Sequence, residues 1–223
     1  MPYDEPEAGL TTPVRNRYVF GDLLGVADLE REQEYASAKR RLANRLLHGY
    51  GVVAGLDVEL TGGSTITVSP GLAMDAWGRE IVVVSPMTVL IPTEVLATAG
   101  IVEVVLCYDE VDGDPTPAIG FDESPPEAST IREVPRIDVR PAADAPPPTP
   151  SPPLALGPDG RAELARWITR SCDPVALPAD PSVLLARATV TAGGAIDDVD
   201  IDVRPIVVSN ALLLAILMAN PTD

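Results

Sequence analysis

RYVFGDLLGVADLEREQEYASAKRRLANRLLHGYGVVAGL, residues 17–56, is the stretch on which the reading of this chain turns. It holds the only long helix pattern, the only lysine (Lys39) and the only histidine (His48). RYVFGDLLG reads as a short extended piece ending in turn chemistry around Gly21 and Gly25. Asp28 has N-cap chemistry and predicts a helix from there to about Leu47, with Gly49 in the position that closes helices. At about 100° per residue, Leu29, Tyr35, Ala36, Leu42, Ala43, Leu46 and Leu47 share one arc. Asp28, Glu30, Glu32 and Glu34 occupy the first turns, and Lys39, Arg40, Arg41 and Arg45 the last. Both placements favour the helix dipole, by roughly 0.3–1 kcal/mol per well-placed charge. Glu32 and Lys39 fall inside the apolar arc. There they pair with each other, face another subunit, or lie at the helix edge with their heads in water.

From Gly51 the hydrophobic period changes from that of a helix to two. GVVAGLDVEL and TITVS flank TGGS (61–64), a hairpin signal. VSPGLAMDAWGREIVVVS (68–85) follows, with turns at Pro70-Gly71 and Trp77-Gly78 and with Leu72, Met74 and Ile81 facing inward. PMTVLIP (86–92) continues the sheet, TEVLATAG (93–100) is a short helix or turn, and IVEVVLCYDEV (101–111) reads as a central strand. Units at this spacing suit a sandwich or barrel, and no βαβ alternation is visible.

Prolines cluster through 112–157. TIREVPRIDVR (130–140) reads as an edge strand within them, and APPPTPSPP (145–153) as exposed polyproline, a spacer or a surface loop. GRAELARWITRSC (160–172) has the pattern of a short amphipathic helix with Leu164, Trp167 and Ile168 on one side. SVLLARATVTAGGAIDDVDIDVRPIVV (182–208) predicts a second hairpin around Gly193-Gly194. The run ALLLAILMA (211–219), after a possible cap at Ser209, is wholly apolar. It has to be covered by the chain's own sheet or by another subunit, with Leu212, Leu213 and Ile216 as candidate contacts. The expected organisation is an arm (1–16), a helix plus β core (17–140), a proline-rich loop or spacer (141–158), and a final part (159–223) that completes the same domain. The expected fold is α+β, mainly antiparallel β, sandwich or barrel-like, with one long N-terminal helix and a short C-terminal helix.

A chain of 223 residues with 46% hydrophobic content can bury a sizeable core, and with two Phe, two Trp and five Tyr that core is aliphatic. The net charge of −17 repels nucleic acid and anionic lipid. Cys107 and Cys172 are too few for a disulfide framework or a zinc site. The N-terminus lacks the apolar core of a signal peptide, which implies synthesis in the cytosol, and ALLLAILMA is too short to span a bilayer. No P-loop, GxSxG or GxGxxG motif occurs. Any Ser-His-Asp arrangement would rest on His48, whose position at a helix end suits capping or packing. DDVDID (197–202) resembles a calcium loop but lacks its Gly and distal Glu. Strand alternation puts Asp198, Asp200 and Asp202 on one solvated face. Asp109, Glu110, Asp112 and Asp114 form a second acidic cluster, and a catalytic carboxylate pair stays open. No cofactor, metal or catalytic residue is expected, and the chain is read as a non-enzyme.

Five segments carry a resemblance: Phe20-Gly21-Asp22-Leu23-Leu24, Glu32 to Tyr35, Lys39 to Leu42, Asn44 to Val53, and VSPGLAMDAWGREIVV. Together they resemble a family of small structural proteins encoded with the phage-tail-like contractile injection systems of bacteria. The likeness covers residues 17–85 and is looser over 182–217. The family pattern has Trp and Cys where this chain has Tyr50 and Ala54, a difference of packing. The resemblance implies a structural piece of the injection particle, docked at its baseplate or another end of the tail. Its implied partners are baseplate, spike, sheath or tube-end subunits, in several copies per particle, without nucleic acid or membrane insertion. The particle is one released by cell lysis or acting inside the cell. Leu29, Glu32, Tyr35, Lys39, Leu42, Leu46, Leu212, Leu213 and Ile216 are the candidate interface residues. The alternative is a β-sandwich module binding carbohydrate or another ligand at a fibre base, which the aromatic content of 4% disfavours.

Overall fold

The computed structural model describes residues 12–97, 100–113, 115–116, 127–128, 130–142, 162 and 177–219. The chain divides into two units, Met1–Leu42 with Ala143–Asp180 and Ala43–Ala142 with Pro181–Asp223. The predicted proline run at 145–153 and the amphipathic pattern at 160–172 lie outside the described residues, Ala162 aside.

In the first unit the chain enters helix α1 (Val26–Ala43). Asp28 is not its N-cap, as the sequence pattern predicts, but its third residue. The Gly25 amide donates to Asp28 Oδ2 at 3.0 Å while the Asp28 amide donates to the Gly25 carbonyl at 3.2 Å. This is the reciprocal arrangement of a capping box, with glycine in the cap position because it needs no side chain there once the carboxylate reaches back. Arg31 Nη1 binds Asp28 Oδ1 at 3.2 Å and Asn16 Oδ1 at 2.8 Å, and Asn16 Nδ2 donates to the Asp28 carbonyl. No residue of α1 is buried.

The second unit begins where α-helical bonding ends. Asn44–His48 form one π-helical turn, closed by the Gly49 amide donating to the Asn44 carbonyl at 3.1 Å. Gly49, at φ +78°, carries the exit. The helix thus reaches about as far as its pattern predicts, but its last turn is wider.

Strands β1 (Gly51–Gly55), β2 (Val58–Gly62), β3 (Thr65–Val68), β4 (Gly71–Met74), β5 (Glu80–Val83) and β6 (Met87–Leu90) follow, then the single turn α2 (Thr93–Leu96). Next come β7 (Gly100–Asp112), the two-residue pair β8 (Pro115–Thr116) and β9 (Glu127–Ala128), then β10 (Ile131–Pro141), β11 (Val183–Val190), β12 (Ile196–Asp200) and helix α3 (Asn210–Ala219). All named strand pairs are antiparallel: β1-β4-β5, β2-β3-β6, β10-β7-β11-β12, and β8-β9. The fold is α+β. The predicted hairpins at TGGS, at the Asp75–Glu80 turn and at Gly193-Gly194 join β2 to β3, β4 to β5 and β11 to β12. β7 is one of the two interior strands of the four-stranded sheet, and β10 is at its edge, as the sequence pattern indicates.

The three larger sheets close on one aliphatic core. Leu56, Ile66, Ile81, Ile91, Leu106 and Leu185 are each fully or almost fully buried, and no Phe or Trp is needed at its centre. Each such side chain contributes about 1.5–3 kcal/mol of burial.

Two backbone passages fix how β1 enters this core. Gly55 has φ +64°, and a Cβ there would sit 2.2 Å from the Pro70 carbonyl oxygen. Leu56 follows at φ +58°, a left-handed conformation that costs a branched side chain energy and is held by complete burial. At the other end of the strand, the Val52 amide donates to the Pro205 carbonyl at 2.8 Å, and the Val207 amide donates to the Val52 carbonyl at 2.9 Å.

Candidate assembly surfaces and the polar anchor

In the first unit, the turn before α1 is held by the Asp22 amide donating to the Val19 carbonyl at 3.2 Å, with Gly21 at φ +93°. Phe20 and Leu23 on this turn are 108% and 96% exposed, and Tyr18, Val19, Leu24, Val26 and Leu29 are each more than half exposed. Exposed Arg15 and Arg17 precede it. Single exposed apolar residues are ordinary; a run of this kind marks a contact surface. Of the predicted interface residues on the helix and its last turn, Leu29 and Leu46 are exposed, and Tyr35 and Leu42 are half-buried. Glu32 and Lys39 form no ion pair with each other. Lys39 Nζ lies 5.3 Å from the centre of the Tyr35 ring and 3.5 Å from its hydroxyl, and Glu32 Oε2 is covered without a hydrogen-bond partner.

In the second unit, Ser209 immediately precedes α3. Its Oγ accepts from the Leu212 amide at 3.2 Å, the capping role the sequence suggests. The helix contains no charged residue. Leu212 and Leu213 are about half exposed, and Leu214 and Met218 more so. The side chain of Ile216 lies outside the described residues. A helix apolar on every side belongs inside something larger.

Sequence reasoning misses the polar anchor of this unit. The turn between β4 and β5 buries an ion pair, Arg79 Nε to Asp75 Oδ2 at 2.6 Å, with the two side chains 6% and 0% exposed. Asp75 Oδ1 also accepts from the amides of Trp77 and Arg79, both at 2.9 Å. The Arg79 guanidinium is 4.6 Å from the Trp77 ring centre and 4.4 Å from that of Tyr108 on β7. Burial pushes the Asp75 carboxyl up, against the opposing pull of Arg79 and the two amides. Burial likewise raises the Tyr108 phenol, helped by its bond to Glu110 Oε1 at 2.6 Å and by Glu133. The π-helical turn is tied to the same place. Asn44 Nδ2 donates to the Gly78 carbonyl and to Glu80 Oε1, each at 2.9 Å. Arg45, its pKa lowered by burial, lies within the field of Asp75. The one local signal is Asp75-x-x-Gly78, the spacing of a side chain that turns its own backbone. The partners Asn44 and Tyr108 are set by long-range register.

A shallow groove of about 240 Å³ in the same unit is lined by Met87 and Val89 of β6, Val111 of β7, and Val134, Pro135 and Ile137 of β10. Arg136 stands at its rim, bound to Asp138 and 3.4 Å from Asp109, and the Asp138 bond raises its pKa. His48 is exposed. Asp198 and Asp200 are exposed on β12, whereas Asp202 lies beyond the strand, its amide donating to Asp200 Oδ1 at 2.9 Å. The predicted common face therefore stops at Asp200, because the chain turns there. Among the described residues no group of His, Cys, Asp and Glu is arranged to hold a metal ion, and no helix is long and apolar enough to cross a membrane.

No family model matches the chain, and no curated protein matches it. Solved structures resemble it in part, three of them described below. They are a chain of the type VI secretion TssK-TssF-TssG baseplate subcomplex (TM-score 0.40, 13% identity), a chain of the type VI secretion baseplate complex (0.43, 13%) and TssK (0.41, 12%). Each match covers 85% of this chain and 60%, 58% and 41% of the other, so this chain spans three fifths or less of those chains. These neighbours are type VI secretion baseplate components. A likeness of this degree carries no inference about function.

Proposed function

We propose that this chain is a non-enzymatic structural component of a phage-tail-like contractile injection system, docked at the baseplate or another end of the tail through subunit contacts. One observation carries the reading: the apolar side chains of the turn before α1, of α1 itself and of α3 are presented outward. Covering a Leu or Phe side chain contributes roughly 1.5–3 kcal/mol. Three or four together therefore supply an amount comparable to the roughly 4–15 kcal/mol that association costs. Such a chain gains its full stability only among neighbours. The resemblance of residues 17–85 to injection-system structural proteins supports the same reading, and the charge of −17 directs the contacts to protein rather than nucleic acid. A ligand-binding module finds less support, because a groove of about 240 Å³ falls below the roughly 300–1,000 Å³ of small-molecule sites.

The test is incorporation. Particles assembled with Leu29→Asp, Leu46→Asp or a chain lacking residues 211–223 are sedimented and probed for this subunit. The expected result is a soluble variant left in the supernatant. A wild-type chain that stays a monodisperse monomer and never co-sediments with tail particles overturns the proposal.

A further inference from the structure

The groove of the second unit lies between two strand edges. β6 ends the β2-β3-β6 sheet and β10 ends the β10-β7-β11-β12 sheet. Consecutive residues of both line the groove, Met87 to Val89 and Val134 to Ile137. A sheet face lines a groove with every second residue, an edge with successive ones. We propose that this groove takes an extended strand of a partner protein, which pairs with the outer edge of β10 and rests its apolar side chains on Met87 and Val89.

The backbone selects that occupant. The Ala142 amide donates to the Ile101 carbonyl at 2.9 Å, which continues the β7–β10 register in which Pro141 faces Val102. Backbone groups alternate sides along a strand, so the even-numbered residues of β10 turn theirs to β7. Glu133, Pro135, Ile137 and Val139 turn theirs outward. Glu110, opposite Glu133, agrees: its amide goes to Asp109 Oδ1 at 2.9 Å. On β6 the Ile91 amide donates to the Ser64 carbonyl at 2.9 Å, which leaves the backbone groups of Thr88 and Leu90 facing away from β3. Among the described residues no strand pairs with either edge. Ile137 and Val139 are only 7% and 8% exposed, and a backbone group unpaired at such a place costs free energy until a partner meets it.

From Glu133 to Val139 these groups run along about 20 Å of edge, a row that an extended chain can meet and a helix or compact ligand cannot. A second copy's β10 fits poorly, because Pro135 and Pro141 both fall on the outward register and blunt pairing between identical edges. The groove asks for no net charge, since Arg136 at its rim is held by Asp109 and Asp138. The strand is therefore uncharged where it crosses the groove, with apolar residues at alternate positions. This goes beyond the injection-system reading and stands without it, since purified chain and a synthetic peptide must show it.

The experiment uses the full chain and a capped peptide of alternating valine and threonine with a lysine at each end. An N-methylated twin keeps the side chains and the charge but has no amide donors. Affinity is read by calorimetry, and amide exchange is followed with and without peptide. In the chain alone, the Glu133 and Ile137 amides are expected to exchange faster than those of Val134 and Arg136, which bond to β7. With peptide they should slow by about 10-fold or more, and the twin should bind at least about 10-fold more weakly. Glu133→Pro removes one outward donor and no bond to β7, and should weaken the peptide by roughly 2- to 10-fold. The proposal is overturned if the peptide does not bind at millimolar concentration, if the twin binds equally well, if Glu133→Pro leaves the affinity unchanged, or if the new protection falls on β12 instead of β10. It is equally overturned if the Glu133 and Ile137 amides are already protected in the chain alone. Protection that grows with chain concentration then means a second copy fills the groove, and protection independent of it means the chain's own residues do. Peptide binding by a chain that never enters particles refutes the injection-system reading alone.

Discussion

Replacing Asp75 with Asn unpairs a buried guanidinium while keeping an oxygen for the Trp77 and Arg79 amides. Arg79, 6% exposed, cannot shed its charge, and it keeps the faces of Trp77 and Tyr108 beside it. Cation–π contacts at a desolvated site give about 2 kcal/mol, whereas breaking a buried pair costs about 3–5 kcal/mol. A net loss near 3 kcal/mol is therefore expected, a large part of a typical 5–15 kcal/mol of stability. With a urea dependence of about 3 kcal/mol per molar, the midpoint falls by about 1 M.

The complementary change, Arg79→Met, leaves the carboxyl buried, and the two variants must differ in pH dependence. Burial raises the Asp75 pKa above its value in the unfolded chain. A group raised in this way lends stability below the unfolded pKa and loses it as pH rises through the folded one. Arg79→Met should therefore be least damaged in acid and most damaged at neutral pH, because without the guanidinium nothing offsets the burial of the carboxylate, whereas Asp75→Asn removes the titrating group altogether. Urea unfolding followed by tryptophan fluorescence at about pH 4 and pH 8 measures both. An Asp75→Asn loss under about 0.5 kcal/mol, or an Arg79→Met defect equal at the two pH values, refutes the assignment of this pair as the anchor.

Asn44→Ala removes two bonds that tie the π-helical turn to the β4–β5 turn. It should cost about 1–3 kcal/mol and speed amide exchange over residues 44–49, and unchanged exchange would show the tie is idle. Gly55→Ala forces a Cβ against the Pro70 carbonyl at a positive φ, and thermal melting should show a loss of at least about 2 kcal/mol. Tyr108 should remain protonated through an alkaline absorbance titration that ionises exposed tyrosines. Its raised pKa means stability held below about pH 10 declines above it as the unfolded chain releases the proton first. A phenolate count that reaches all five tyrosines before unfolding would contradict this.

Much of the fold is legible locally. TGGS, the turn at Trp77-Gly78 and Gly193-Gly194 each announce a hairpin through glycine chemistry, and the apolar run 101–108 announces the strand flanked on both sides. The outward presentation of Leu29 and Leu46 is not legible, because a helical arc records that a face is apolar and not what covers it. Asp28 shows the limit of cap chemistry: its carboxylate accepts from the Gly25 amide behind it, inside the helix, rather than from the amides ahead as an N-cap does, so residue type alone misplaces the boundary by one turn. The guanidinium between Trp77 and Tyr108 joins residues some thirty positions apart, and no periodicity encodes that register. Glu103 is similar. It sits inside an apolar strand, yet register sets it across from Arg140 and Arg187, and Arg187 Nη2 reaches it at 2.9 Å.

The bond from the Val52 amide to the Pro205 carbonyl also has a meaning in time. These residues are 153 positions apart (205 − 52), and at about 5–20 residues per second a ribosome separates their synthesis by about 8–30 s. During that interval β1 has its β4 neighbour but not its outer one, so the nascent chain carries an open strand edge beside Gly51. Folding of this unit is then gated by translation of the segment around Val207.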